Sequence, residues 1–202
     1  MSGLLETLDV QRLDDHRYYH HSRVNQSLHL FSAVSFLCCY ALLFKNPAAA
    51  ALIGWLVAML PRQIGHFFFE PQGYDEVNRA TQEYKEGIKI GYNLRRKAIL
   101  LLVWAVSPFA LFVDPSLLGL LTPGIGVAGF VENLGLVWLA LGIGALAFRT
   151  IHLFFIKDVT TGLAWLVKIL TDPFNDIRLY HKAPLYLLRG QWLDPMESER
   201  RS

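Results

Sequence analysis

Cysteine is nearly absent from this sequence: two in 202 residues, Cys38 and Cys39, side by side. Neighbours on one helix do not readily bridge to each other, so no disulfide and no thiolate metal pair is expected, and both read as apolar packing. A glycine-rich phosphate loop, a Gly-x-Ser-x-Gly elbow and a Cys-x-x-Cys pair are missing too. Nucleotide-binding, hydrolase and kinase readings therefore have no support. Only seven histidines are present and no His-x-x-His-His occurs, which excludes the eight-histidine pattern of membrane desaturases and hydroxylases.

Charge is scarce and one-sided. Charged residues make up 18% of the chain and the net charge is +2, too small to point to nucleic acid. Residues 1–17 are polar and carry Asp9, Asp14 and Asp15, which is not the basic start and early apolar run of a secretory leader. No long polar linker divides the chain, so one membrane domain over 1–202 is expected.

What the sequence has is apolar residues, 53% of the total, gathered in blocks with the charges between them. The blocks are 28–44, 48–69, 98–113 and 134–156. A bilayer core of about 30 Å needs roughly 20 helical residues. Each block comes close, and in lipid a helix is the structure that satisfies its own backbone. The expected fold class is all-α: a polytopic membrane protein with four transmembrane helices plus interfacial helices. A fifth stretch, 163–170, is too short to span; Trp165 and Lys168 mark it as interfacial. With consecutive spans, segments 45–47 and 114–133 lie on one side and everything else outside the spans on the other. Of the 19 Lys and Arg residues only Lys45 falls on the first side, so both termini are expected in the cytoplasm. Short loops and the lack of a sorting signal point to a bacterial inner membrane rather than endoplasmic reticulum.

The outer segment 114–133 is rich in Gly and Pro and reads as a turn-rich connection. Residues 74–86 read as an amphipathic cytoplasmic helix, followed by a basic stop at Arg95, Arg96 and Lys97. The tail 157–202 is expected along the cytoplasmic face, with 196–202 disordered.

Ionisable groups inside spans are costly and are functional candidates by default. His29, His66 and His152 sit on three different spans, at similar depth toward one side, and neutral imidazole is a common ligand for zinc, copper and iron. His21, Asn25 and His29 follow at spacings of four, one slowly drifting helical stripe. His66 and Glu70 are also four apart and share a face. Arg62 and Arg149 precede His66 and His152 by four and three. Together they describe a pocket near the inner membrane face with His21, His29, His66, His152 and Glu70 around a metal, and Arg62, Arg149 and Asn25 as catalytic candidates. Each residue also has a plain structural reading: an interfacial histidine, a helix-end hydrogen bond, or an arginine reaching to head groups.

Two segments resemble a known family. Residues 19–29, with His21, Asn25 and His29 just before the first apolar block, are similar to the N-terminal motif of the membrane-bound 2-hydroxy fatty acid dioxygenases. Residues 63–70, with Gln63, Gly65, His66 and Glu70, are similar to that family's second motif, Gln-x-Gly-His-x-x-x-Glu. The resemblance covers residues 18–70. It implies an iron(II) enzyme of lipid α-oxidation that uses dioxygen to shorten a 2-hydroxy fatty acid by one carbon. It also implies His21, His29 and His66 as motif histidines, His20 beside them, and Glu70 as a ligand or the partner of one. A 2-hydroxy acid can chelate such a metal, with Arg62 or Arg149 receiving its carboxylate. Gly135, Gly142 and Gly144 allow close helix approach or leave a groove for the acyl chain. The reading preferred is a metal-dependent lipid oxygenase, with a lipid or fatty acyl substrate and the membrane as partners. A haem-binding bundle with paired axial histidines, and a non-enzymatic transporter or interaction subunit, are the alternatives.

Overall fold

Apolar blocks of spanning length leave the backbone no partner but itself, and each block here becomes a helix. The computed structural model describes residues 3–195. Its helices are α1 (Leu4–Tyr19), α2 (Arg23–Leu43), α3 (Pro47–Phe69), α4 (Gln82–Ile88), α5 (Leu94–Val113), α6 (Gly126–Ile156), α7 (Val159–Tyr180) and α8 (Ala183–Leu188). Helices α2, α3, α5 and α6 are long and apolar enough to cross a membrane, and they contain the four expected blocks except Phe44, which follows the end of α2. They turn Phe31, Leu102, Phe109, Phe112 and Phe155 outward. Strand-type pairing among the described residues is confined to two isolated bridges, Ser22 with Leu193 and Asp75 with Ala80. The chain is an all-α membrane protein.

Helix boundaries follow local chemistry that hydropathy does not register. α2 starts at Arg23, ahead of the expected 28, because the Ser22 hydroxyl accepts from the Asn25 amide and caps the helix. α6 starts at Gly126 rather than 134. Gly126 has a positive φ of 65°, and Gly124 lies so close to Gly129 that a Cβ on either would clash with the other's backbone. At 31 residues α6 is about 46 Å long, well beyond a bilayer core. The helix expected over 74–86 is instead a turn followed by the short α4. Asp75 Oδ1 accepts from the Val77 and Asn78 amides, and Thr81 caps α4. The stretch at 163–170 belongs to the longer α7, which is not among the helices apolar enough to span, and Trp165 and Lys168 are buried against the other helices. Residues 196–202, expected to be disordered, lie outside the described residues.

The apolar core is built on tryptophan. Trp55 donates to the Trp138 carbonyl at 2.8 Å, Trp138 donates to Ser107 Oγ at 2.9 Å, and Trp104 stacks between them. Both buried indole N–H groups of α3 and α6 are thereby satisfied. Of the three glycines expected to permit close approach, Gly135 does so: a Cβ there would lie 2.5 Å from the Ala48 carbonyl oxygen. Gly144 faces open space.

Gly135→Ala must push α3 and α6 apart, and overpacking of this kind costs about 1–3 kcal/mol. Its thermal midpoint in detergent is expected to fall. That of Gly144→Ala is expected to hold or rise, since alanine is the better helix former by about 1 kcal/mol.

Candidate metal centre

α7 carries Lys168, Asp172, Asp176 and Tyr180 at intervals of four, a single stripe on one helix face, and all four are buried. The stripe docks against α1, α2 and α3. Lys168 Nζ bonds Asp15 at 3.0 Å and Asp172 at 2.8 Å. Arg62 bonds Asp176 at 3.0 Å and approaches Asp172 at 3.5 Å. Burial opposes the Lys168 charge, but Asp15 and Asp172 outweigh it and raise its pKa. Burial likewise opposes the Asp15 charge, and the ammonium of Lys168 hydrogen-bonded to it overcomes that and lowers its pKa. Further along α1, Gln11 donates to the Thr161 carbonyl and Arg12 to Thr171, so α1 is stitched to α7 over most of its length.

This frame brings three imidazoles together. His20 lies in the turn between α1 and α2. Asn25 donates to the Tyr19 carbonyl at 2.9 Å and Gln26 to the His20 carbonyl at 2.8 Å, so two amide side chains fix that turn. His29 stands in the second turn of α2. His66 sits in the π-helical end of α3, Gly65–Phe69. Gly65 is required there, because a Cβ would overlap Asn25 Oδ1 and approach the His29 ring at 3.6 Å. Ring centroids are 4.1 Å apart for His20 and His29, 5.0 Å for His29 and His66, and 5.4 Å for His20 and His66.

Each ring has an oxygen near Nδ1. His66 Nδ1 lies 2.9 Å from Glu70 Oε2, His20 Nδ1 lies 3.2 Å from Tyr180 Oη, and His29 Nδ1 lies 3.5 Å from Asp176 Oδ2. Tyr180 also meets His16 Nδ1 at 3.1 Å. Protons on the Nδ1 atoms of His20 and His66 satisfy this pattern and leave their Nε2 with a lone pair, while His29 Nδ1 approaches Asp176 without a hydrogen bond. The Nε2 atoms of His20 and His29 are buried with no hydrogen-bond partner among the described residues. Burial, reinforced by His29 alongside, holds the His20 pKa well below the usual histidine range, so its ring is neutral. One nitrogen from each of the three rings lies within 4.8 Å of the others. Two nitrogens on one metal lie roughly 3–4 Å apart, so the rings would draw closer to share an ion. Buried orphan nitrogens backed by carboxylate and phenol oxygens are what a three-histidine metal site needs.

Of the residues expected around a metal, His29 and His66 are in this cluster and the other three are not. The neighbouring His20 takes the place given to His21. His21 turns away because its Nε2 lies against the Arg17 carbonyl, with Asn78 at 2.9 Å and Asp75 at 3.6 Å. Glu70 backs His66 from outside and is held on its far side by Lys89 at 2.6 Å. His152 stays with Arg149 at 2.9 Å, away from the cluster. Arg149 itself is engaged by the Ile90 and Gly91 carbonyls. Arg62 is tied to two aspartates, and Asn25 shapes the His20 turn. Tyr180 and Asp176 were not picked out as site residues; the four-residue spacing from Lys168 to Tyr180 was the available signal.

A cavity of about 420 Å³ opens beside the cluster. Its polar lining includes Asp14, Asp15, Arg62, Gln63, His66, Lys89, Lys97, Lys168 and Asp172, and its apolar lining includes Trp55, Leu100, Leu101, Trp138, Leu139 and Ile143.

Elemental analysis of the purified, iron-reconstituted protein is expected to find about one metal per chain. His20→Ala, His29→Ala and His66→Ala should each bring it to background, whereas His21→Ala and His152→Ala should retain it. Glu70→Gln should weaken metal affinity by about 10- to 100-fold. Retention of metal in all three cluster variants would rule this centre out. No family model, curated protein or solved structure matches the chain.

Proposed function

We propose that the chain is a membrane-embedded, iron(II)-dependent oxygenase acting on fatty acyl substrates, with 2-hydroxy fatty acids as the class implied by the resemblance of residues 18–70. The observation that carries this reading is the buried His20–His29–His66 cluster with its unpartnered nitrogens. Three neutral nitrogens leave positions on a metal open to small molecules, as oxygen-using iron sites require. Iron(II) held there would supply the dioxygen chemistry. The protein's part is to bind, orient and exclude water. Glu70, Asp176 and Tyr180 fix the three rings. The cavity that His66 lines offers an apolar wall suited to an acyl chain.

The topology supports a site at the cytoplasmic membrane face. His29 lies near the start of α2 and His66 near the end of α3, so both fall at one end of the bundle. That end carries the basic residues, and with the positive-inside bias this supports the proposal that both termini are cytoplasmic, the membrane being a bacterial inner membrane in this reading. A haem between paired histidines is disfavoured: with the His20 and His29 ring centroids 4.1 Å apart, no macrocycle fits between them.

Iron-loaded protein given 2-hydroxypalmitate in oxygenated buffer is expected to consume dioxygen and release the acid one carbon shorter, detected by mass spectrometry. His66→Ala should lose this turnover. Metal-loaded wild type that leaves 2-hydroxy acids of every chain length intact would defeat the proposal.

A further inference from the structure

Four cationic side chains line the cavity beside the histidine cluster, and three are already matched. Arg62 holds Asp172 and Asp176, Lys168 holds Asp15 and Asp172, and Lys89 holds Glu70. The fourth, Lys97, makes no side-chain hydrogen bond or ion pair among the described residues. Basic residues at the end of a spanning helix ordinarily reach out to head groups. Arg95 and Arg96, in the same first turn of α5, are exposed, whereas Lys97 is partly buried and lines the cavity. An ammonium turned inward without a counter-ion is costly. A second polar group in the same cavity is also unmet: Gln63 Oε1 is buried without a partner. One turn beyond Lys97 the lining becomes apolar, from Leu100 and Leu101 to Trp55 and Trp138.

We propose that Lys97 is the receptor for the carboxylate head of a single-chain fatty acid, whose tail lies along the Leu100–Trp138 side of the cavity. The assignment rests on reading the site as an acyl-processing centre and names the residue that selects its substrate. It moves the head-group contact away from Arg62 and Arg149, whose guanidinium groups are committed to Asp172, Asp176 and the α4–α5 loop. Gln63 then accepts from a hydroxyl on the same head, on the His66 side of the cavity.

The test is equilibrium binding of radiolabelled palmitate to the full chain in nanodiscs, as purified and after chelation, corrected with empty discs. Methyl palmitate and palmitoyl lysophosphatidate serve as competitors. Wild type is expected to bind palmitate and to discriminate against the uncharged ester. Lys97→Met should weaken palmitate by about 10- to 100-fold, the range for a lost hydrogen bond to a charged group. It should leave the ester unchanged, and Lys97→Arg should keep the discrimination. Unchanged thermal midpoints for both variants separate a lost contact from a lost fold. Wild-type palmitate binding by Lys97→Met would overturn the proposal, as would equal competition by the ester in wild type. Lys97-dependent binding of lysophosphatidate in preference to palmitate would overturn the carboxylate assignment in favour of a phospholipid head. Because binding is also read without metal, the two proposals fail separately. A chain that binds no iron but discriminates through Lys97 loses the oxygenase and keeps the acid site. A chain that binds iron but ignores Lys97 does the reverse.

Discussion

Charge taken out of water must be matched by charge, and in this protein one helix supplies most of the match. The stripe Lys168–Asp172–Asp176 on α7 meets Asp15 from α1 and Arg62 from α3, and removing either cation strands an aspartate, Asp15 in the case of Lys168 and Asp176 in the case of Arg62. Burying each ion costs several kcal/mol that only close partners return. The arrangement therefore tolerates little play in how α1, α3 and α7 sit. The histidine cluster inherits that rigidity. His20 follows Asp15 by five residues, His66 follows Arg62 by four, and the Asp176 that holds Arg62 also faces His29. The centre is positioned by electrostatics set one layer outside it.

Against this background of matched charge, the unmatched groups stand out. Among the described residues the buried atoms without a partner include the Nε2 of His20 and of His29 and Gln63 Oε1, and Lys97 makes no ion pair, while Asp172, Asp176, Arg62, Trp55 and Trp138 are all engaged. All but the lysine ammonium are fully buried atoms. Buried polar groups are as a rule hydrogen-bonded, and exceptions mark places where something else binds. Two of the exceptions, on His20 and His29, face each other within the histidine cluster, and that juxtaposition is what the functional reading rests on.

The fold was legible because membrane insertion is governed by block hydrophobicity, a property of composition over about 20 residues. The site was legible only in part. His29 and His66 could be found because each sits in a span where polarity is costly. His20 could not be separated from His21, since the choice depends on a turn set by Asn25, Gln26 and the Arg17 carbonyl. His152 matched the others in depth but not in azimuth: α6 presents it toward Phe148 and Arg149. Depth along a helix can be counted in residues, whereas azimuth depends on which face a partner helix takes. The same gap explains α7, whose polar stripe reads as surface until α1 is seen to cover it.

The separation of the matching charges along the chain has a consequence for biosynthesis. Arg62 and Asp176 are 114 residues apart, and Asp15 and Lys168 are 153 apart. A ribosome delivers α2 and α3 to the bilayer long before α7 exists. Arg62 and His29 must therefore enter the membrane with no counter-charge and wait at its edge through the synthesis of two more spans. Insertion and assembly are two separate events in this protein, and α7, made after all four spans, carries the charges against which His20, His29 and His66 are brought together.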